Sequence, residues 1–232
     1  MGDNSPAPHV THELCETDFG IISLPRAVAA LATRNFSKGL PLMIVGDSQV
    51  LVNSLLGEAA LKEPALLEQM SVAQRGLQKW VAIFRASTFD AEPFAKQVPR
   101  SDNSAADTAA NKALDKGTFL DIDVSEATRF LHTVAANEQH CMGILCSFDG
   151  AARGNPGPGA SGICVWWGSW QDGAFYSNGL ILQSGCKLGS CTNNYAEAHG
   201  IKLLMKTVLR LHYWLAEQLA KLTQHSGIKI QI

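Results

Sequence analysis

Two short apolar runs in this chain each end on an aspartate, and that arrangement constrains the fold more than any other feature. Leu40–Val45 runs into Gly46–Asp47, and Gly143–Phe148 runs into Asp149 and the glycine-rich turn Gly150–Gly162. Neither run alternates apolar with polar residues, so each reads as a buried strand. A carboxylate at the end of a buried strand is costly unless something cationic meets it. An N-cap for the following helix is the plain alternative for Asp47, with Ser48 and Gln49 capping alongside it.

Around these runs the pattern is that of an α/β protein. Pro25 in a first turn opens a helix over Ala27–Phe36 that stops at Gly39, and Val50, Leu51, Leu55 and Leu56 recur at helical spacing before Gly57. Pro64 opens an amphipathic helix to about Phe84, a strand follows around Phe94–Val98, and the alanine-rich Asn103–Asp115 is helical. Residues 116–140 read as a connector with one helix, Ser125–Ala136, capped by Ser125, and Asp121 and Asp123 read as solvated. Beyond it, Gly143–Asp149, Ala160–Trp167 and Phe175–Gly185 form an antiparallel meander, Asn194–Leu222 a long helix and Ile228–Ile232 a last strand.

The 232 residues amount to about one and a half typical domains. With 46% hydrophobic and 17% charged residues the chain reads as an ordinary folded protein. A net charge of −2 excludes a global positive field, so polyanion binding would need metal ions, backbone amides or a local patch. The apolar stretches are far shorter than the ~20 residues of a membrane span. The first ten residues look like a disordered lead without signal-peptide character, which points to an intracellular, reducing setting, nucleus or cytoplasm undistinguished. Six cysteines without a CxxC pair read as free, buried thiols.

The segment Ser147–Gly162, the helix start Thr192–Asn193–Asn194–Tyr195–Ala196–Glu197, the stretch Val45–Val52, and Val98–Asn103 with Ala106–Asp107 and Ala110–Asp115 together resemble the motifs of type 1 ribonuclease H. The resemblance covers about two-thirds of the chain. It implies an α/β fold, a ribonuclease H-like mixed five-stranded sheet flanked by helices, assembled here from two half-domains in rotated order. Residues 11–115 would supply the closing half with the Asp47 and Asp107 motifs, 116–140 the connector, and 141–232 the opening half with the Asp149 and Glu197 motifs.

The resemblance further implies that Asp149, Glu197, Asp47 and Asp107 are the catalytic residues and ligands of two Mg²⁺ ions, roughly 4 Å apart, with Mn²⁺ as a substitute. The partner would be an RNA–DNA hybrid cut on its RNA strand. Asn193, Asn194 and Gln49 would reach its minor groove, Thr192 a phosphate, and Gly150 and Asn155 would complete the substrate surface. Helix capping is the simpler role for several of these, and Asn155 also has a structural part in its turn.

Three departures stand out. Gln97 occupies a position where relatives carry His, no basic protrusion follows Gly57, and the motif order is rotated. The rotated order fits either a circular permutant or a slice of a tandem array, since Thr11–Glu16 echoes Thr192–Glu197 and makes Glu16 a rival to Glu197. Closure within one chain is the expected arrangement, with a domain-swapped homodimer, neighbouring repeats of a longer chain, or a catalytically silent nucleic-acid-binding fragment as alternatives. The connector of about 25 residues reaches roughly 25–30 Å, enough for closure. His199 reads as a surface or packing residue, and Trp166, Trp167 and Trp170 as core.

Overall fold

The computed structural model of the chain describes residues 42–84, 94–135, 142–171 and 174–226. The expected lead, the helix over 27–36, Glu16 and the strand 228–232 lie outside them. In chain order the elements are β1 (Leu42–Gly46), α1 (Gln49–Leu56), α2 (Pro64–Phe84), β2 (Ala95–Gln97), a 3-10 turn (Arg100–Asn103), α3 (Ser104–Lys116), β3 (Phe119–Ile122), α4 (Val124–Ala135), β4 (Met142–Ala152), β5 (Gly157–Gln171), β6 (Ala174–Cys191) and α5 (Asn193–Ser226).

The strands form one mixed sheet in the order β2-β1-β4-β5-β6-β3. β1 lies parallel to both β2 and β4, while β4, β5, β6 and β3 run antiparallel to their neighbours. The two halves of the chain therefore meet within one polypeptide along β1 and β4. Both strands are buried along nearly their whole length, with Asp149 the one charged residue in them, because helices pack on one face of both and α3 together with the Met43–Val45–Trp170 cluster closes the other. On one face Phe148 and Ile144 join Trp80 of α2, Phe130 of α4 and Ile201 and Leu204 of α5 in a single core. The other face is narrower, and α3 meets it with Ala106, Ala109, Ala110 and Ala113, all fully buried.

Small residues on both sides bring α3 into backbone contact with the sheet. A Cβ on Gly162 of β5 would stand 2.2 Å from the Ala110 nitrogen and 2.5 Å from the Ala106 carbonyl oxygen. Only glycine fits at that distance, since backbone cannot give way as a side chain does.

The connector is more structured than its composition suggests, and the sheet has six strands rather than five. β3 pairs with β6 over Phe119↔Gly185 to Ile122↔Leu182. It is clamped from α3 by Lys112, whose Nζ lies 2.6 Å from Asp121 Oδ2 and 3.9 Å from the Phe119 ring centroid. The following helix is capped by Asp123 instead of Ser125. Asp123 Oδ1 accepts from the Ser125 hydroxyl at 2.6 Å and from the Glu126 and Ser125 amides at 3.0 and 2.9 Å, and these bonds hold its carboxyl below the usual range. A carboxylate two residues earlier reaches both free amides of the first turn, which the Ser125 hydroxyl cannot do from inside it. α4 then docks on the sheet through Glu126, which accepts from Trp167 Nε1 at 3.0 Å, and through Phe130, whose ring packs 5.8 Å from that of Trp167.

The glycine contact is directly testable. Gly162→Ala should lower stability by about 3 kcal/mol, because the added methyl must displace α3 backbone. Gly189→Ala, where nothing lies within 4 Å of the new Cβ, should change it by less than about 0.5 kcal/mol. Urea unfolding midpoints of the two variants check the contrast.

Candidate active site at the ends of the central strands

Register brings the first two carboxylates together. β1 and β4 pair in parallel with Val45 opposite Ser147, so Asp47 and Asp149, two residues further along each, occupy adjacent positions. Neighbouring strands lie about 4.8 Å apart. Glycines then deliver the other two acids from opposite faces. Asp149 is paired in register with Gly162, on which the Ala106–Ala110 turn of α3 rests, and Asp107 belongs to that turn. On the other face Gly150 lies directly under α5, where a Cβ would come within 2.2 Å of the Glu197 nitrogen.

Asp149 is the most confined of the four, at 4% exposure. Its Oδ1 accepts the Gly150 amide at 2.7 Å and its Oδ2 accepts Asn103 Nδ2 at 3.3 Å. Burial, and then repulsion from Asp47, raise its pKa to about 7, with Glu197 and Asp107 adding smaller repulsions against the lowering effect of the Gly150 amide. Glu197 is also raised, first by burial and then by Asp47, against hydrogen bonds from Ser48 and Asn193 and the charge of Arg100. Asn193 Nδ2 donates to Glu197 Oε1 at 2.6 Å. Asp107 is partly exposed and meets Arg100 at 3.4 Å.

Three of the carboxylates, those of Asp149, Glu197 and Asp107, are thus satisfied separately by protein donors. Among the described residues no three His, Cys, Asp or Glu side chains converge as a ready ligand set. That is the arrangement repulsion favours when the groups have only protein donors to turn to. The donor chemistry nonetheless suits a hard divalent cation, because all four acids offer oxygen. Asn103 adds a buried amide oxygen without a partner beside Asp149, while its nitrogen is engaged by the Phe148 carbonyl and the Asp149 carboxylate.

The expected substrate residues fall at the same end of the sheet, several of them with structural bonds. Thr192 Oγ1 accepts the Tyr195 amide at 3.2 Å and Asn155 Oδ1 accepts the Asn193 amide at 3.2 Å, so both cap α5. Asn194 is exposed, as is Gln49, whose Nε2 donates to Asn53 Oδ1 at 2.6 Å. Gly150 is buried and acts as the seat of α5. A groove of about 340 Å³ runs past this end, lined by Glu63, Pro156, Leu188, Cys191, Thr192 and Tyr195.

Five residues gain a part that the sequence reading did not assign. Ser48 makes no capping bond to α1; its hydroxyl stands by Glu197 instead and lowers that carboxyl. Arg100 stands beside Asp107 and acts on Glu197, and Asn103 holds Asp149. His199 is buried and bonded to Ser161. Gln97 donates to the Val98 carbonyl at 3.1 Å and lies 3.4 Å from the Asp47 carbonyl, tying β2 to the end of β1.

Set against family models, curated proteins and solved structures, the chain matches none of them.

The raised pKa of Asp149 gives a signed prediction. Below pH 4 the group is protonated both folded and unfolded and contributes no pH dependence. Between pH 4 and 7 the unfolded chain ionises it while the folded chain resists, so stability falls, and above 7 the full penalty applies. Asp149→Asn should therefore be more stable than the wild type by about 2–3 kcal/mol at pH 8, with the gap closing towards pH 4, as urea titrations across that range would show.

Proposed function

We propose that this protein is a metal-dependent endonuclease that hydrolyses the RNA strand of RNA–DNA hybrids, a ribonuclease H of type 1 whose motifs occur in rotated order. The observation that carries the reading is that Asp47, Glu197 and Asp107, drawn from both halves of the chain, stand close enough to Asp149 for their charges to act on it where β1 ends beside β4. The sheet order supports it. If β3 is set aside as an added edge, β2-β1-β4-β5-β6 is the order expected of a ribonuclease H-like sheet, with a three-stranded antiparallel meander followed by two parallel strands.

In this reading the four carboxylates, led by Asp149 and Glu197, hold Mg²⁺ or Mn²⁺. The chemistry such ions supply when bound is a lowered pKa for coordinated water and neutralisation of charge on the reacting phosphate. The chain's own residues do the rest. Asn103 and the Gly150 amide hold the Asp149 carboxylate, and Asn193 and Ser48 hold that of Glu197, so the acids are aimed before substrate arrives. Arg100, with 79% of its side chain exposed, carries a positive charge to the mouth of an acidic site and faces incoming phosphate. Asn194 and Gln49 present exposed amides where the shallow minor groove of a hybrid displays its 2′-hydroxyls.

A second reading, a nucleic-acid-binding or assembly module without turnover, is favoured by three of the carboxylates being satisfied singly and by Gln97 being tied to backbone. One assay separates the two. Purified protein with Mg²⁺ and an end-labelled RNA–DNA hybrid should cleave the RNA strand, and Asp149→Asn should lower the rate on the order of 100- to 1,000-fold. Wild-type turnover no higher than that of the variant would overturn the nuclease reading, and a gel shift of the hybrid without cleavage would support the second.

A further inference from the structure

α5 carries Glu197 into the cluster, so its rotation about its own axis decides where that carboxylate lies. At the seam under the site the contacts are smooth. Gly150 lies against the Ala196–Glu197 backbone, and a Cβ on Gly200 would stand 3.0 Å from the Asp149 carbonyl oxygen. Glycine and alanine allow the helix to approach but offer no knob that fixes its angle. Ile201, Leu204 and Val208 further along hold it to the sheet through contacts that are not directional. At its N-terminal end α5 is held by Asn155, whose Oδ1 accepts the Asn193 amide at 3.2 Å, and by Gln69 of α2, whose Nε2 donates to the Tyr195 hydroxyl at 3.1 Å; past Glu197 a further directional bond runs from α5 to the sheet itself. Ser161 of β5, register partner of Gly150, lies 2.8 Å from His199 Nδ1, with Ser161 fully buried and His199 at 4% exposure.

We propose that the buried Ser161–His199 hydrogen bond sets the rotation of α5 and thereby holds Glu197 at the carboxylate cluster, which makes His199 and Ser161 positioning residues of the site. Successive helical residues are turned by 100°, so a ring two positions after Glu197 can face the sheet while Glu197 reaches around towards Ser48. A helix with side chains is 5–6 Å in radius, so a slip of about 20° moves a side-chain tip by roughly 2 Å. Mg²⁺ demands near-octahedral oxygen geometry and tolerates much less than that. Residues that orient ligands in this way typically affect metal affinity 10- to 100-fold.

The claim about Glu197 placement stands on geometry alone, while its consequence for metal rests on the nuclease reading. The test therefore has two arms. Crystal structures of wild type and Ser161→Ala without added metal should show α5 rotated and the Glu197 carboxylate withdrawn from Ser48 by about 1–2 Å. An α5 that superposes on the wild type would overturn the proposal, whatever the protein does with metal. In the second arm, the Mg²⁺ concentration for half-maximal thermal stabilisation should rise about tenfold in Ser161→Ala and His199→Leu. Their double variant should show no further rise, and His199→Gln, which retains a hydrogen-bonding group, should recover part of it. A fall in melting temperature with an unchanged Mg²⁺ midpoint would mark the pair as merely structural and overturn the positioning role. Absence of any Mg²⁺ response in the wild type would count against the nuclease reading and leave the crystallographic arm decisive.

Discussion

The parallel pairing of β1 with β4 is the interaction on which the rest depends. It joins segments about a hundred residues apart and does so in a register that sets Asp47 beside Asp149. A slip of one residue would send every side chain of β1 to the wrong face, taking Leu42 and Ile44 out of the large core and removing Asp47 from its neighbour. The apolar character of both strands guards against this, because Leu42 and Ile44 belong to the large core and Met43 and Val45 to the narrow one. Core packing and site assembly are consequently one event, and the halves of the site cannot form separately.

Assembly of the cluster is opposed by its own charge. Burial first, and repulsion from Asp47 and then Glu197 and Asp107 after it, raise Asp149 from an ordinary value of 3.8 to about 7. The fold offsets the penalty locally with amide donors and Arg100, and globally with the apolar contacts on either side. A group held at a cost to stability is what a functional site commonly carries, since function is served by a group that stability would remove.

Much of this was legible from residue pattern. The two apolar runs ending on aspartate, the helix from Pro64 to Phe84, the meander and the long helix after Thr192 all follow from periodicity and breakers. Less visible were features that depend on what lies across a contact. β3 was hidden because Phe119–Ile122 is short and broken by Asp121, and it becomes a strand only through pairing with β6 and the Lys112 clamp. Ser48 reads as a cap until the fold sets its hydroxyl by Glu197. His199 could not be sorted between surface and interior without knowing which side of α5 meets Gly150. Asp123 and Ser125 are both good capping residues, and only the geometry of the first turn chooses between them. The lead, Glu16 and the duplicated junction lie outside the described residues, so the origin of the rotated order stays a matter of sequence.

The sheet closes on a short strand at each side, three residues in β2 and four in β3. Long, flat, apolar edge strands invite pairing with other chains, and short edges bearing charge discourage it. Here the longest strands, β5 and β6, lie inside the order, and the outer strand beside them carries Asp121 locked to Lys112. The segment that links the two halves thus also limits self-association of the sheet. Deleting it to shorten the chain would expose the backbone of β6 over Leu182–Gly185 with its hydrogen-bonding groups free, and trade a compact linkage for a tendency to aggregate.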